Sequence, residues 1–147
     1  MSVSRMLSGM NISASGLSAE RMRMDVVANN IANANSTRTA GGGPYRRQQV
    51  AFTAAMDQAI GRALGAPDNL KGVRVLGVRP DQSPLRKVHE PWHPDADADG
   101  YVEMPNVSVP REMVDLITAS SAYEANLKSL EIFKQLAEES LGLLRGF

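Results

Sequence analysis

Two stretches of the chain carry residue types at spacings that could do chemistry. His89-Glu90-Pro91-Trp92-His93 fits the pattern His-Glu-x-x-His. In zinc proteases that pattern sets two imidazoles on one helical face, with the glutamate polarising a metal-bound water. The chemistry needs a helix, yet Pro91 lies inside the motif and Pro94 directly after it. Proline removes a backbone donor and clashes with the preceding turn, at a cost of about 3 kcal/mol or more in a helix interior. These are also the only two histidines, so a third ligand would have to be a carboxylate. The segment reads instead as an extended proline-rich loop with Trp92 packed inward. The second stretch, Asp95-Ala96-Asp97-Ala98-Asp99-Gly100, copies the first half of an EF-hand calcium loop. Its twelfth position, where a bidentate glutamate belongs, is Asn106, preceded by Pro105. Glu103 is the spare carboxylate, which leaves weak calcium binding at Asp95, Asp97 and Asp99 as the most this segment offers. The plainer reading is a turn whose aspartates accept local backbone amides before Gly100 opens a strand at Tyr101.

Other chemistries have less to stand on. There is no cysteine, hence no disulfide and no thiolate nucleophile. No phosphate-binding glycine loop followed by a helix is present, since Gly41-Gly42-Gly43-Pro44 leads into a strand-like stretch. Neither histidine has a triad context among the serines. Arg46-Arg47 is too short for a nucleic-acid patch and is expected along the outer face of a strand. We therefore expect no catalytic residue, no cofactor and no resident metal: the chain reads as a non-enzyme.

The elements that would position these residues divide the chain into three parts. Residues 1–36 and 108–147 read as helices flanking a short-stranded middle at 37–107. All eight prolines and most of the glycines lie between residues 41 and 110. The first flank repeats apolar residues at alternating spacings of three and four: Leu7, Met10, Ala14, Leu17, Met24, Ala28 and Ile31, interrupted by Arg21. The second repeats Met113, Leu116, Tyr123, Leu127, Leu130, Ala137, Leu141 and Leu144, with Ser120 and Lys134 between them. A parallel row, Ala119, Tyr123, Asn126, Leu130, Phe133 and Ala137, widens that stripe. This 3.5-residue period belongs to helices whose seams pack on other helices. The expected fold is mainly α, with two long terminal helices as an antiparallel coiled coil and a small β-rich middle. Ser108, Pro110 and Glu112 fit a helix start. Asn29, Asn30 and Asn33 offer amides where the first helix meets the middle. Strands are expected near 45–52, 73–78, 85–88 and 101–104, and a short helix near 54–64.

Length turns this pattern into an argument for assembly. Each flank would be roughly 45–50 Å long at 1.5 Å per residue. A middle of about 70 residues is only about 22 Å across on globular scaling, too small to cover both. Pairing the helices satisfies one seam of each and leaves the wide second stripe partly bare, and bare apolar strips mark partner surfaces. A helical core folded back within the chain would need more than two long helices. The balance of sixteen basic and sixteen acidic residues gives a formal net charge of zero, with no long-range pull towards nucleic acid or an anionic bilayer. The first residues lack the continuous apolar run of a cleaved signal peptide, and no stretch approaches a membrane span.

Several segments resemble the flagellar rod, hook and hook-associated family. Ala28-Asn29-Asn30-Ile31-Ala32-Asn33-Ala34-Asn35-Ser36-Thr37 looks like its N-terminal signature. Gly42-Gly43-Pro44-Tyr45-Arg46-Arg47, His93-Pro94-Asp95-Ala96-Asp97, Pro105-Asn106-Val107 and Glu112-Met113-Val114-Asp115-Leu116 are similar to a proximal rod member. So is Tyr123-Glu124-Ala125-Asn126, and the likeness runs in order along nearly the whole chain. It implies a subunit exported by the flagellar type III apparatus without signal cleavage, then polymerised in the periplasm with copies of itself and other rod proteins. It also implies terminal helices lining the inner wall of a tube, with no nucleic-acid partner and no membrane insertion. The nearest alternative is a type III-secreted coiled-coil effector or translocator.

Overall fold

The computed structural model describes residues 3–56 and 70–145. Helix α1 spans Val3–Ala32, followed by strands β1 (Gln48–Met56), β2 (Leu70–Pro80), β3 (Arg86–His89) and β4 (Tyr101–Met104), then helix α2 (Val109–Arg145). β1 pairs with β2 in one two-stranded sheet, and β3 with β4 in another. The fold is mainly helical, with two long helices that pack on each other and a small stranded region between them in sequence. At 30 and 37 residues, the helices rise roughly 45 and 55 Å. No described helix is long and apolar enough to cross a membrane.

The chain divides into two compact units, each assembled from three segments. The first comprises Met1–Met22, Phe52–Leu76 and Ala119–Phe147. Its helical segments run antiparallel: Gly9 of α1 lies against the Phe133 ring of α2, and Gly16 lies against the Asn126 amide, one heptad forward on one helix and one back on the other. A Cβ at Gly9 would fall 2.7 Å from Phe133, and one at Gly16 would fall 3.0 Å from Asn126. The helices thus approach through small residues, with Ser13, Ala19 and Ala119 buried beside them. The hairpin strand β2 rests on α1 at Gly72. The Val73 amide donates to Ser15 Oγ (3.0 Å), and that hydroxyl donates to the Ile12 carbonyl (2.7 Å). Gly72 holds φ +100°, and a Cβ there would collide with Ser15 Oγ, so both backbone and space require glycine.

The second unit comprises Arg23–Ala51 and Gly77–Thr118. After α1 the chain turns through Gly42 and Gly43, both at positive φ, closed by the Thr39 amide donating to the Gly43 carbonyl. β3 and β4 pair antiparallel, Arg86 opposite Met104 and His89 opposite Tyr101, with Val102 buried beneath. The Ser108 carbonyl accepts from the Glu112 amide (3.0 Å), which makes Ser108 the cap residue directly before α2.

Three expectations are corrected. Residues 54–56 continue β1, so the helix expected over 54–64 does not start there; its remainder lies outside the described residues. Ala54-Ala55-Met56 has helical propensity, but pairing with β2 overrides it. Trp92 is not packed inward: it is 97% exposed at the tip of the β3–β4 hairpin. Arg47 does not lie on an outer face, because three carboxylates surround it and leave its side chain 16% exposed.

Candidate functional site

The second unit is organised by a buried polar junction joining α1, β1 and α2. Asn30 is fully buried, and its amide makes four hydrogen bonds. Its nitrogen donates to the Gln48 carbonyl and to Glu112 Oε2, both at 2.9 Å. Its oxygen accepts from the Gln48 amide (2.8 Å) and the Tyr45 hydroxyl (2.9 Å). A side-chain amide thus pairs with both polar groups of Gln48, as a neighbouring strand would. Every donor and acceptor of Asn30 is used, which is what allows a polar side chain to be buried without a net penalty.

Glu112 is equally buried. One carboxylate oxygen takes the Asn30 bond and the other takes the Arg47 Nε–H. The remaining guanidinium nitrogens of Arg47 reach Asp115 at 3.3 Å and Asp81 at 3.7 Å, and Arg23 of α1 reaches Asp115 at 3.5 Å. A planar fork facing three carboxylates is the geometry arginine satisfies and lysine does not. Asn106 closes the arrangement on the strand side. Its oxygen accepts the Arg47 amide (2.8 Å), while its nitrogen donates to the Asp81 and Ser83 carbonyls (3.2 Å each). Burial pushes the Tyr45 hydroxyl above its ordinary pKa, and the nearby Glu112 charge adds to this. The Ser83 hydroxyl and amide, donating to Asp81, hold that carboxyl below its ordinary range, with Arg47 and Gln49 contributing. Every functional group in the junction is committed to a neighbour. Such an arrangement fixes geometry.

The loop with motif-like residues is a hairpin tip. His89 sits in β3 with its ring edge-on to Tyr101, centroids 5.0 Å apart, so His89 and His93 do not share a helical face. Asp97 Oδ1 accepts the amides of Asp99 (3.0 Å) and Tyr101 (2.8 Å), the turn role expected of it. Asp95 is held by Thr37 (2.8 Å) and Arg38 (2.6 Å). Among the described residues, no group of three His, Asp or Glu could hold a metal.

The apolar series lie mostly beside the intrachain seam. In the first unit the inward positions of α1 are Gly9, Ser13 and Gly16; in the second they are Val27, Asn30 and Ala34 at its end. All of these except Ala34, which lies just past the end of α1, are one residue N-terminal to a member of the apolar row. Along that row Met10, Leu17, Met24 and Ile31 are half-buried, and Leu7, Ala14 and Ala28 are exposed. On α2, Leu116, Tyr123, Leu130, Phe133 and Ala137 are half-buried, whereas Met113, Leu127 and Leu141 are exposed; the Leu144 side chain lies outside those described. Val114 and Ile117 stand 63% and 66% exposed within one turn of Met113. Asn30 is central to the junction. Asn33 donates to the Asn29 carbonyl and side-chain oxygen (2.9 Å each), and Asn29 itself is exposed. Sequence reasoning missed Tyr45, Arg47, Asp81, Asn106 and the burial of Glu112. The one available signal was the alternation of Tyr45 and Arg47, which puts both on one strand face.

Comparison with known proteins adds the family. Residues 10–38 match the flagella basal body rod protein family, and residues 98–143 match the C-terminal family of flagellar basal body rod FlgEFG proteins. The chain is similar to flagellar basal-body rod protein FlgC of Borreliella burgdorferi, 42% identical over 96% of this chain and 99% of that one. It is 43% identical to FlgC of Salmonella typhimurium and 36% identical to FlgC of Bacillus subtilis, each alignment covering 90% of this chain and 93% of the relative.

Proposed function

This chain belongs to the FlgC family of flagellar basal-body rod proteins, and from that premise we propose that it is a structural subunit of the proximal rod, polymerising through its terminal helices into the shaft that transmits torque. It acts as a structural component, not as an enzyme. The observation that carries the mechanism is the split between two kinds of helix face. The intrachain seam is satisfied by glycine, serine, alanine and asparagine, while Met113, Val114 and Ile117 remain exposed on α2. Neighbouring subunits cover that second face. Each copy presents one surface to a different surface of the next, so a rotation and a rise repeat into an open helical tube.

In this reading residues 1–36 and 108–147 form the inner-tube domain, and residues 37–107 face outward. Leu7, Met10, Leu17, Leu130, Leu141 and their row-mates belong to the packed interfaces. The Asn30–Glu112–Arg47 junction holds the middle at a fixed angle to the helices, as a shaft under torque requires. The family resemblance supports export by the flagellar type III apparatus without a cleaved signal, and assembly in the periplasm beside other rod proteins.

Purified basal bodies test the proposal. The chain should co-purify with them, and Ile117→Asp, which alters only an exposed position, should leave a folded chain that is absent from basal bodies in non-motile cells. Normal swimming by Ile117→Asp cells would refute the assignment of that face.

A further inference from the structure

Trp92 is the chain's only tryptophan, and it stands 97% exposed. Its loop is stiff. The Glu90 amide donates to the Gly100 carbonyl, the Asp97 amide donates to the Tyr101 carbonyl, and Asp97 Oδ1 ties two further amides. A large aromatic held out on a braced hairpin tip has already lost most of the freedom that docking would otherwise remove, and tryptophan is the residue most enriched among binding anchors. The first unit carries a matching recess. Ile12, Phe52, Thr53, Ala54, Gly72 and Val73 surround an open, almost wholly apolar depression of about 460 Å³. Ile12, Phe52 and Val73 are each exposed there.

Resting on the reading of this chain as a self-assembling rod subunit, we propose that Trp92 of one copy docks into the Ile12–Phe52–Val73 depression of a second copy. Charge favours that occupant. The loop from His89 to Gly100 carries Glu90, Asp95, Asp97 and Asp99 and no lysine or arginine. Among the described residues, Asp95 pairs with Arg38, and no ion pair is formed by Glu90, Asp97 or Asp99. The elements around the depression carry the opposite sign. β1 has no charged residue, and Arg74 of β2, which directly follows Val73 of the lining, is exposed. An acidic knob therefore meets a depression flanked by an arginine. Knob and hole are different surfaces of one chain, so the contact is heterologous and propagates into an open array.

The absence of native cysteine makes the test free of background. Two forms of the full chain are co-expressed, one tagged Pro91→Cys, which keeps Trp92, and one Ala54→Cys. Basal bodies are isolated and treated with a short bismaleimide. A joined species containing one copy of each is expected, falling at least tenfold when Trp92→Ala is added to the first form and largely restored by Trp92→Phe. Circular dichroism of the Trp92→Ala and Trp92→Phe forms should match that of the Pro91→Cys form they derive from, because Trp92 is almost wholly exposed. Basal bodies that contain both forms but yield no joined species, or a yield indifferent to Trp92→Ala, would overturn the docking and leave the rod assignment standing. Absence of both forms from basal bodies of motile cells would overturn the two together.

Discussion

Replacing Glu112 with alanine should remove more stability than any other single truncation of a polar side chain in the second unit. The carboxylate is fully buried and bonds Arg47 through one oxygen and Asn30 through the other. Removing one member of a buried ion pair costs about 3–5 kcal/mol, because the remaining charge is left uncompensated. Here Arg47 keeps Asp115 at 3.3 Å and Asp81 at 3.7 Å, which places the loss near the bottom of that range. The Asn30 amide loses one of its two acceptors, adding about 1 kcal/mol. The total is about 3–4 kcal/mol, to be set against about 5–15 kcal/mol for a whole domain. With a urea slope of about 1–2 kcal/mol/M, the unfolding midpoint should fall by roughly 1.5–4 M. Far-ultraviolet circular dichroism is the appropriate probe, because Trp92 is already in water and its emission barely reports unfolding. Glu112→Gln, which keeps an acceptor for Asn30, should lose less. A midpoint shift below about 0.5 M for Glu112→Ala would refute the buried junction.

Gly16→Val should destabilise the first unit by about 1–3 kcal/mol through overpacking, since even a Cβ would lie 3.0 Å from Asn126; urea titration measures it. The Tyr45 hydroxyl should ionise above the ordinary tyrosine value in a spectrophotometric titration of the parent compared with Tyr45→Phe. Its raised pKa means a contribution to stability that is complete below the ordinary tyrosine value and lost as pH climbs through the folded one, a dependence Tyr45→Phe should abolish. Asp81 behaves in the opposite sense. Its depressed pKa contributes stability above the ordinary aspartate value, lost as pH falls through the folded one, and Ser83→Ala should shrink that acid-side loss. Leu17→Asp or Leu130→Asp should abolish swimming, scored on soft agar, because each places a charge in a half-buried apolar row.

The parts of the fold that sequence reasoning could reach are those set by local chemistry. Helix α1 covers Val3–Ala32 within the flank expected to be helical, and β4 coincides with the Tyr101–Met104 stretch. The start of α2 follows from Ser108, Pro110 and Glu112, whose preferences do not depend on distant neighbours. What escaped depends on long-range contacts. The strand expected over 73–78 starts earlier, at Leu70, and passes through Gly72, where glycine alone fits against Ser15. Glu112 was read as a charge complementing a helix end, because burial of a carboxylate follows only from where Asn30 and Arg47 meet it. The helix seam is the subtlest case. Hydrophobic periodicity gives weight to leucine and methionine and none to Gly9, Ser13 or Gly16, yet close approach selects the small residues. The period was therefore recoverable, as was the α2 row through Ala119, Asn126 and Phe133 that meets α1, whereas the small-residue face of α1 was not.

The central claim is that the exposed face of α2 is covered only by neighbouring subunits, and thiol accessibility measures this directly. Ile117→Cys and Val114→Cys introduce single thiols into a chain that has none. In the purified soluble chain both should react with maleimide at the rate of a free thiol, and in isolated basal bodies both should be protected at least tenfold. Equal reactivity in the two states would contradict the account.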